Sequence, residues 1–460
     1  MPREIITIQV GQCGNQIGWR FWDLALREHA SRGILFDDAM SSFFLFNEKH
    51  QILKARALLI DTEQGVINQL LKSEVGELFD NTQLLNEVSG AGNNWAQGFY
   101  DYGTNYKEKI LTQINTVLEQ CDSPQCFLIT HSIGGGTGSG LGSYIVNLLG
   151  ENYQDIFKFT LSVFPSKDDD VITSPYNSVL SLNHLINNAD CVLPVDNESL
   201  IEIVNNVKSQ NKKTSKNIFG KKENDNLNNN NNNNKSKKPY DEMNSIIAHL
   251  LSSLTCSMRF EGTLDVDIND ITMNLVPFPR QHFIMSSLSP LYHVLDQKLE
   301  PRRTEQIFDD VFNADFQLIK CDNFYQGIYF ATALIARGNL TVSDLMYNIE
   351  KKKNKINTVS WNHEGFKIGL CSQPPVNMKY GLLCLSNNTA ITDCFKRMTD
   401  RFMLLYKHKA HLHHFENYIP ESEKNIFEES IENLNLLIND YQTAQYKKVN
   451  KINKNLTPVI

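Results

Sequence analysis

Short apolar runs that halt at glycine, proline or acid recur through the first half of the chain. Glu4 to Val10 runs into Gly11, Ala57 to Ile60 into Asp61, and Cys126 to Ile129 towards Gly134. Phe157 to Phe164 alternates up to Pro165, and Cys191 to Val195 stops at Asp196. Runs of this length, bounded by turn residues, read as buried strands. Helical spacing follows them, as in Trp19 to about Glu28 and Ser143 to Leu149, so the pattern predicts an α/β fold. Beyond 238 the period lengthens. Ile247, Leu250, Leu251, Leu254 and Met258 share one helical face, which suits a spine between two domains. Strands at about 327–338, 366–371 and 380–387 suit a second, smaller sheet. Near the end, Phe395, Met398, Phe402 and Leu405 form one stripe, and Phe427, Ile431, Leu434, Ile438 and Tyr441 another, as in a helical hairpin.

Composition adds limits. The chain has 460 residues, 41% hydrophobic and 21% charged, enough for two or three cores. No run approaches the apolar length of a membrane span, and the N-terminus reads as a strand rather than a signal peptide. The nine cysteines are scattered, so reduced thiols are expected rather than disulfides or zinc. The net charge of −8 conceals a segregation: residues 208–238 hold nine lysines and two acids, +7, leaving about −15 elsewhere. An acidic body argues against nucleic acid as a partner. The 208–238 stretch, with an asparagine run from Asn228 to Asn234, predicts a disordered basic insertion. It is either a docking site for an acidic partner or a neutral insertion.

The densest chemical signal is Ile129-Thr-His-Ser132-Ile-Gly134-Gly135-Gly136-Thr137-Gly138-Ser139-Gly140. A glycine-rich turn between strand and helix presents bare amides at a positive helix end, an anion site that commonly takes phosphate. Glycine is expected there for backbone angles closed to other residues and for close approach to the ligand. The stretch lacks the lysine of a P-loop, the Gly-x-Gly-x-x-Gly spacing of a dinucleotide fold and the Gly-x-Ser-x-Gly of a hydrolase elbow. A second such unit, Gly11-Gln12-Cys13-Gly14-Asn15-Gln16-Ile17-Gly18, aims amides and the Gln12 carboxamide at the same ligand. Asp61 and Glu63, ending a buried strand, suit a magnesium held mainly through water and phosphate, or a solvated loop. The four histidines 408, 411, 413 and 414 read as a solvated helix end rather than a metal site.

Gly134 to Gly140 and Gly11 to Gly18 resemble the signature loop and first loop of the tubulin family, and the nucleotide loops follow in that family's order. The likeness spans nearly the whole chain except the insertion and the last residues. Within the family it leans to the epsilon branch, through Phe21 to Ala30, Asp169 to Asn177 and Lys409 to His414. The resemblance implies a tubulin-like fold with a Rossmann-like GTP-binding domain (1–207), the insertion (208–238), a central helix (239–258), a smaller α/β domain (259–390) and a C-terminal helical region (391–460). It implies GTP or GDP and Mg2+ as ligands. Gly11, Gln12, Cys13 and Ser132 would touch nucleotide, Gly134, Gly135, Gly136, Thr137 and Gly138 would cradle phosphate, and Asn93 would approach the terminal phosphate. Gln12, Asp61 and Glu63 would manage the metal and its waters. Asp170 would hold the ribose, because Ser174 stands where other members carry an acid. Asn197, Tyr240 and Asn244 would read guanine.

Two departures bear on chemistry. Asp270 stands where a glutamate in alpha-tubulin positions the attacking water for a neighbouring subunit's nucleotide, one methylene shorter. Asp265 replaces an asparagine. The tail from Tyr446 to Lys451 is basic, where alpha and beta chains end in glutamate-rich tails. The epsilon likeness implies work at centrioles and basal bodies, where triplet microtubules are built and kept, in the cytoplasm and cytoskeleton. Implied partners are other tubulins, a delta-type chain among them, and centriolar accessory proteins. The alternative is a GTP-binding adaptor, paired with another divergent tubulin, that never polymerises; a lone GTPase is disfavoured because no base is complete within one chain.

Overall fold

The computed structural model describes residues 3–446 except 34–35, 38, 48–51, 168, 219–239, 261, 292–302 and 363. Strand β1 (Glu4–Val10) runs directly into α1 (Gly11–Arg32), followed by a hairpin of β2 (Phe44–Asn47) and β3 (Ile52–Ala55). Then come β4 (Ala57–Asp61), α2 (Gln64–Leu71), β5 (Leu84–Asn86), α3 (Thr104–Leu118), β6 (Pro124–Ser132), α4 (Gly142–Asn152), β7 (Phe157–Phe164), α5 (Ser174–Asn188), β8 (Cys191–Asp196) and α6 (Asn197–Ile218). Six of these strands form one sheet, in the order β5-β4-β1-β6-β7-β8, with every pairing parallel. Strand numbers climb in both directions from β1, so the chain reverses its winding between β1 and β6. Parallel sheets need helices on both faces, which is why β1 and β4 are buried along their whole length. Ile6, Ile8 and Val10 pack to one side with α3, α4 and α5; Ile5 packs to the other, with α1 and the central helix.

That central helix, α7 (Asp241–Leu254), lies along α1. The expected helix through Met258 is interrupted at Thr255, whose hydroxyl donates back to the Leu251 carbonyl at 2.8 Å, and a short α8 (Cys256–Arg259) resumes after it. The insertion also begins later than its composition suggests. Helix α6 continues to Ile218, because Leu200, Ile203, Val204 and Val207 start it on an apolar stripe and lysine and glutamine extend a helix readily. Residues 219–239, the asparagine run included, lie outside the described residues.

The second half adds β9 (Gly262–Leu264), α9 (Ile268–Leu275), β10 (Met285–Ser289), α10 (Thr304–Val311), β11 (Tyr329–Gly338), α11 (Val342–Lys353), β12 (Phe366–Cys371) and β13 (Tyr380–Asn388). Its five strands form a mixed sheet, β10-β13-β11-β12-β9, in which only β11 and β12 run parallel. Helices α12 (Ile391–Lys407), α13 (His413–Glu416) and α14 (Ile426–Tyr446) close the described chain. The C-terminal helices lean back on the first domain: Tyr176 of α5 meets Phe402, Phe415 and Phe427 edge-on with ring centroids 5.2, 5.4 and 5.8 Å away, and its hydroxyl donates to the Ala410 carbonyl at 2.8 Å.

A buried ionic cluster pins the two sheets together. Glu28 of α1 is fully enclosed; it accepts from Arg259 Nη2 at 2.7 Å, pairs ionically with the Arg337 guanidinium, whose Nη2 is 3.0 Å away, and accepts from the Ser252 hydroxyl too. Burial alone would raise the Glu28 carboxyl, but the two guanidinium groups outweigh it and hold the pKa down at about 2.

Candidate nucleotide site

Ligands of doubly wound sheets bind beyond the carboxyl ends of the strands, where the winding reverses. A cavity of about 310 Å³ opens there, beyond β1, β4, β6 and β7. At the end of β1, Gly11 has a φ of +73°, and an added Cβ would meet the Gly138 amide nitrogen at 3.2 Å. Asn15, buried in the first turn of α1, donates to the carbonyls of Gly11 at 2.9 Å and Ile60 at 3.2 Å, which joins the ends of β1 and β4.

The signature loop follows β6 and enters α4 through a wide turn at Thr137–Leu141. None of Gly134, Gly135, Gly136 and Gly138 has the left-handed backbone that the sequence suggested. Two of them are glycine because loop packs on loop: a Cβ on Gly136 would meet the Ala91 carbonyl at 2.8 Å, and one on Gly138 would meet the Ser132 carbonyl at 2.6 Å. Gly135 faces open space, with Asn93 Oδ1 at 4.0 Å as its nearest neighbour. This is the stretch of bare backbone that a phosphate can approach.

Two side chains hold the loop from behind. His131 is fully buried, with Nδ1 2.9 Å from the Gly138 carbonyl and Nε2 2.9 Å from the Ser162 hydroxyl. A carbonyl only accepts, so Nδ1 carries the proton and Nε2 accepts from Ser162. Burial outweighs the bond to Gly138 and pushes the pKa down to about 4, so the ring stays neutral and its tautomer is set. Asn177 on α5 donates to the carbonyls of Asn93 and Gly134, both at 2.9 Å, and accepts from the Trp95 amide at 3.0 Å. One carboxamide therefore sets the spacing between two of the cavity's loops. Asn93 itself has a φ of 53°, which asparagine tolerates.

The acidic corner lies at the end of β4. Asp61 is 3% exposed; its Oδ1 accepts from the Glu63 amide at 3.4 Å, and its Oδ2 has no partner among the described residues. Burial pushes its pKa up to about 6, against the hydrogen bond from the Glu63 amide and with a smaller upward push from the Glu63 charge. Thr62 between them reaches the Thr137 hydroxyl at 2.5 Å and couples this corner to the signature loop. At the far end, Asn197 opens α6, half-exposed Tyr240 precedes α7, and Asn244 lies one turn into α7. Asn244 Nδ2 points to Gln16 Oε1 at 3.5 Å, which leaves its carboxamide oxygen for a ligand.

Gly11, Gln12, Cys13, Asp61, Glu63, Asn93, Ser132, the signature glycines with Thr137, Asn197, Tyr240 and Asn244 all line this one cavity. Asp170 does not. It is exposed, and Asp169 takes the lining position. The loop from 165 to 173 has no regular repeat, so nothing in the sequence says which of its adjacent acids turns inward. Asp270 is on α9, outside the cavity, with its carboxylate 3.6 Å from Lys367 Nζ. A neighbouring cavity of about 350 Å³ shares Pro165, but its other walls come from the ends of β7 and β8, Lys167, α5, α12 and the start of α6, with none of the glycine loops. Among the described residues no cluster of three or more metal-ligating side chains occurs, the four histidines included, and no helix is long and apolar enough to cross a membrane.

Comparison with known proteins meets this geometry. Residues 4–205 match the Tubulin/FtsZ family, GTPase domain, and residues 279–400 the tubulin C-terminal domain. The chain is 47% identical to the tubulin epsilon chain of Mus musculus over 97% of both chains, and 46% identical to that of Homo sapiens, again over 97% of both. The chain belongs to the tubulin family. More distant members include the beta-1 chain of Homo sapiens, 32% identical over 97% of this chain and 95% of that one. The match bears out the tubulin fold and the leaning to the epsilon branch, and a tubulin GTPase domain implies that GTP and GDP are its ligands.

Four residues that shape the site carried no role in the sequence: Gln16, Thr62, His131 and Asn177. Gln16 lay inside a recognised loop, and helical spacing from Gln12 places it on the same face. His131 and Asn177 act through the backbone of other loops, which no local pattern reveals.

Proposed function

We propose that this protein is an epsilon-type tubulin that binds guanine nucleotide with Mg2+ in the cavity above β1, β4, β6 and β7 and serves in centriole or basal body microtubule organisation, assembling or maintaining triplet microtubules. The observation that carries the nucleotide reading is the convergence of three separate loops, with Asn197, Tyr240 and Asn244 opposite them, on one cavity at the winding reversal. The centriolar role rests on the epsilon-chain relatives.

The amides around Gly135 receive the phosphates, and the first turn of α1 adds Gln12 and Cys13. Asn244 and Asn197 offer the mixed donors and acceptors that guanine rewards and adenine does not. Tyr240 covers the base. Asp169, rather than Asp170, is placed to meet the ribose. The acidic corner fits a magnesium ion: Asp61 Oδ2 is buried without a partner and Glu63 is beside it, a donor set that suits an ion bound largely through water and phosphate. Magnesium, when bound, supplies neutralisation of phosphate charge.

Asp270 acts in trans, orienting water at the nucleotide of a neighbouring tubulin. Its place outside the chain's own cavity agrees with this. The ion pair with Lys367 supports the second reading, a non-polymerising adaptor beside another divergent tubulin, because it occupies the carboxylate. Other tubulins, a delta-type chain among them, and centriolar accessory proteins are the partners. The test is to identify the nucleotide that co-purifies and then follow GTP turnover against protein concentration. Turnover rising steeply with concentration is the expected result; tight binding with no turnover at any concentration selects the adaptor. Equal affinity for ATP, or an Asn244→Asp variant with unchanged GTP affinity, removes the guanine assignment.

A further inference from the structure

The cavity beside the nucleotide site has a volume of about 350 Å³. That lies at the small end of the roughly 300–1,000 Å³ that hold organic ligands. Phe164, Pro165, Pro175 and Met398 give it apolar walls. Three buried polar groups interrupt them. Ser174, at the start of α5, is 1% exposed, and its hydroxyl has no partner among the described residues. Arg397 of α12 donates through Nη2 to the Lys320 carbonyl at 2.5 Å, which fixes the guanidinium. Its Nη1 is buried and, among the described residues, has no hydrogen-bond partner. Asp196, buried at the end of β8, accepts on Oδ1 from the Glu198 amide at 2.9 Å.

Buried donors without acceptors are costly, so Ser174 and Arg397 call for a ligand that brings acceptors. One of the two donors is charged, and an anionic acceptor satisfies a guanidinium best. Asp196 limits that charge. Its carboxylate lines the same cavity and would repel the second charge of a phosphate. The other cations of the lining are engaged elsewhere. Lys167 pairs with Glu198 at 3.4 Å, and Arg401 donates to the carbonyls of Ser166 at 3.0 Å and Lys167 at 2.9 Å. The walls select the rest of the ligand. Phe164 and the Met398 thioether both pack favourably on an aromatic ring.

We propose that this cavity binds a small aromatic monocarboxylate, whose carboxylate accepts from Arg397 Nη1 and the Ser174 hydroxyl and whose ring packs on Phe164, the two prolines and Met398. Its position makes it an effector site. A Cβ on Gly134 would meet the Ser174 hydroxyl at 3.0 Å and Pro165 at 3.3 Å, so two residues that touch the ligand also back the signature loop. Pro165 lines both cavities. The acid steadies this loop from one side and the nucleotide from the other, so each strengthens the binding of the other by the same factor. The coupling rests on the guanine-nucleotide reading; the binding of the acid does not.

The probe is 4-benzoylbenzoate, an aromatic monocarboxylate that is also photoreactive, titrated calorimetrically into the full-length chain. Saturable binding at a single site is expected. The uncharged amide of the same shape should bind about tenfold weaker, since a charged hydrogen bond is lost. Irradiation followed by mass spectrometry should place the label on Met398 or its neighbours in α12. Arg397→Gln should weaken the acid by about tenfold as well. Because Arg397 also ties α12 to Lys320, Ser174→Ala is the cleaner variant. The Ser174 hydroxyl has no partner to lose among the described residues, so the urea midpoint should match wild type while the acid binds about three- to tenfold weaker. Saturating acid should raise GDP affinity by about fivefold. No saturable binding, equal binding of the amide, or a label confined to other segments would overturn the site, and unchanged GDP affinity would overturn the coupling. A chain that takes the acid but no guanine nucleotide would refute the nucleotide reading, and the coupling with it, while the site stands.

Discussion

Two buried carboxylates occupy opposite situations in this molecule. Glu28, at the seam between the sheets, is fully enclosed but receives two guanidinium groups and a serine hydroxyl from its own chain. Asp61, at the end of β4, is 3% exposed and, among the described residues, has no cation and one oxygen without a partner. Burial acts on both in the same direction. It is overcome at Glu28, whose pKa falls to about 2, and prevails at Asp61 over the backbone amides of Glu63 and Thr62, so that its pKa climbs to about 6. The difference separates structure from function. A buried acid satisfied within the chain holds the fold, and one left unsatisfied marks where something from outside is needed.

The comparison can be broken in stages. The largest effect is expected from Glu28→Ala, which strands two buried guanidinium groups and should lower unfolding free energy by about 3–5 kcal/mol in urea titrations. Saturating GTP should not restore the loss relative to wild type; a loss below about 1 kcal/mol would show the seam to be ornamental. The pH dependence carries the sign. With a folded pKa near 2 against an ordinary 4.5, the Glu28 contribution is complete above pH 4.5 and disappears as pH falls towards 2.

Asp61 behaves in the opposite sense. Its folded pKa is raised, so the ligand-free protein loses stability as pH rises from about 3.8 through 6. Asp61→Asn should therefore stabilise ligand-free protein near pH 7.5 by up to about 3 kcal/mol at 1.36 kcal/mol per pKa unit. The same variant should lose the magnesium dependence of GTP binding. Destabilisation, or an intact magnesium effect, would mean that Asp61 is a structural acid after all. In wild type, magnesium-dependent binding should weaken below pH 6.

Smaller effects are expected from residues that tune the site without forming its acidic corner. Asn177→Ala frees the carbonyls of Asn93 and Gly134 and should weaken GTP binding by about 10- to 100-fold, the equivalent of about 1–3 kcal/mol. Isothermal titration would register it, with a urea midpoint shifted far less than in Glu28→Ala. Smallest is Thr62→Val, which removes the bond to Thr137 and should cost about 1 kcal/mol of nucleotide affinity. An Asn177→Ala variant with full affinity would show that the loops keep their spacing unaided.

The alternation of apolar runs and glycine turns was enough to predict an α/β fold, a central helix and a C-terminal hairpin. Strands and amphipathic helices are local patterns, set by side-chain period. Most of the cavity's lining was legible for a similar reason: its loops sit at strand ends, and the glycines, Asp61 and Asn197 mark those ends in the sequence. What failed did so where no period exists. In the loop from 165 to 173 the acid facing inward is Asp169 rather than Asp170, and the helix expected through Met258 breaks at Thr255. The basic stretch after 208 was read as disordered from its composition, yet its first turns continue α6.

The reason for glycine in the signature loop was the property least visible in one dimension. Composition alone shows that bare backbone is required. The folded chain shows why: Gly136 is small because Ala91 of another loop presses on it and Gly138 because the turn folds back on Ser132 at the end of β6, while Gly135 faces open space. The same division holds throughout. Short-range periodicity, strand ends and chain order were decided by residues adjacent in sequence. Partnership was decided only by tertiary structure, because Glu28 meets Arg259 and Arg337, and Asn177 meets Asn93 and Gly134, through contacts between residues far apart along the chain.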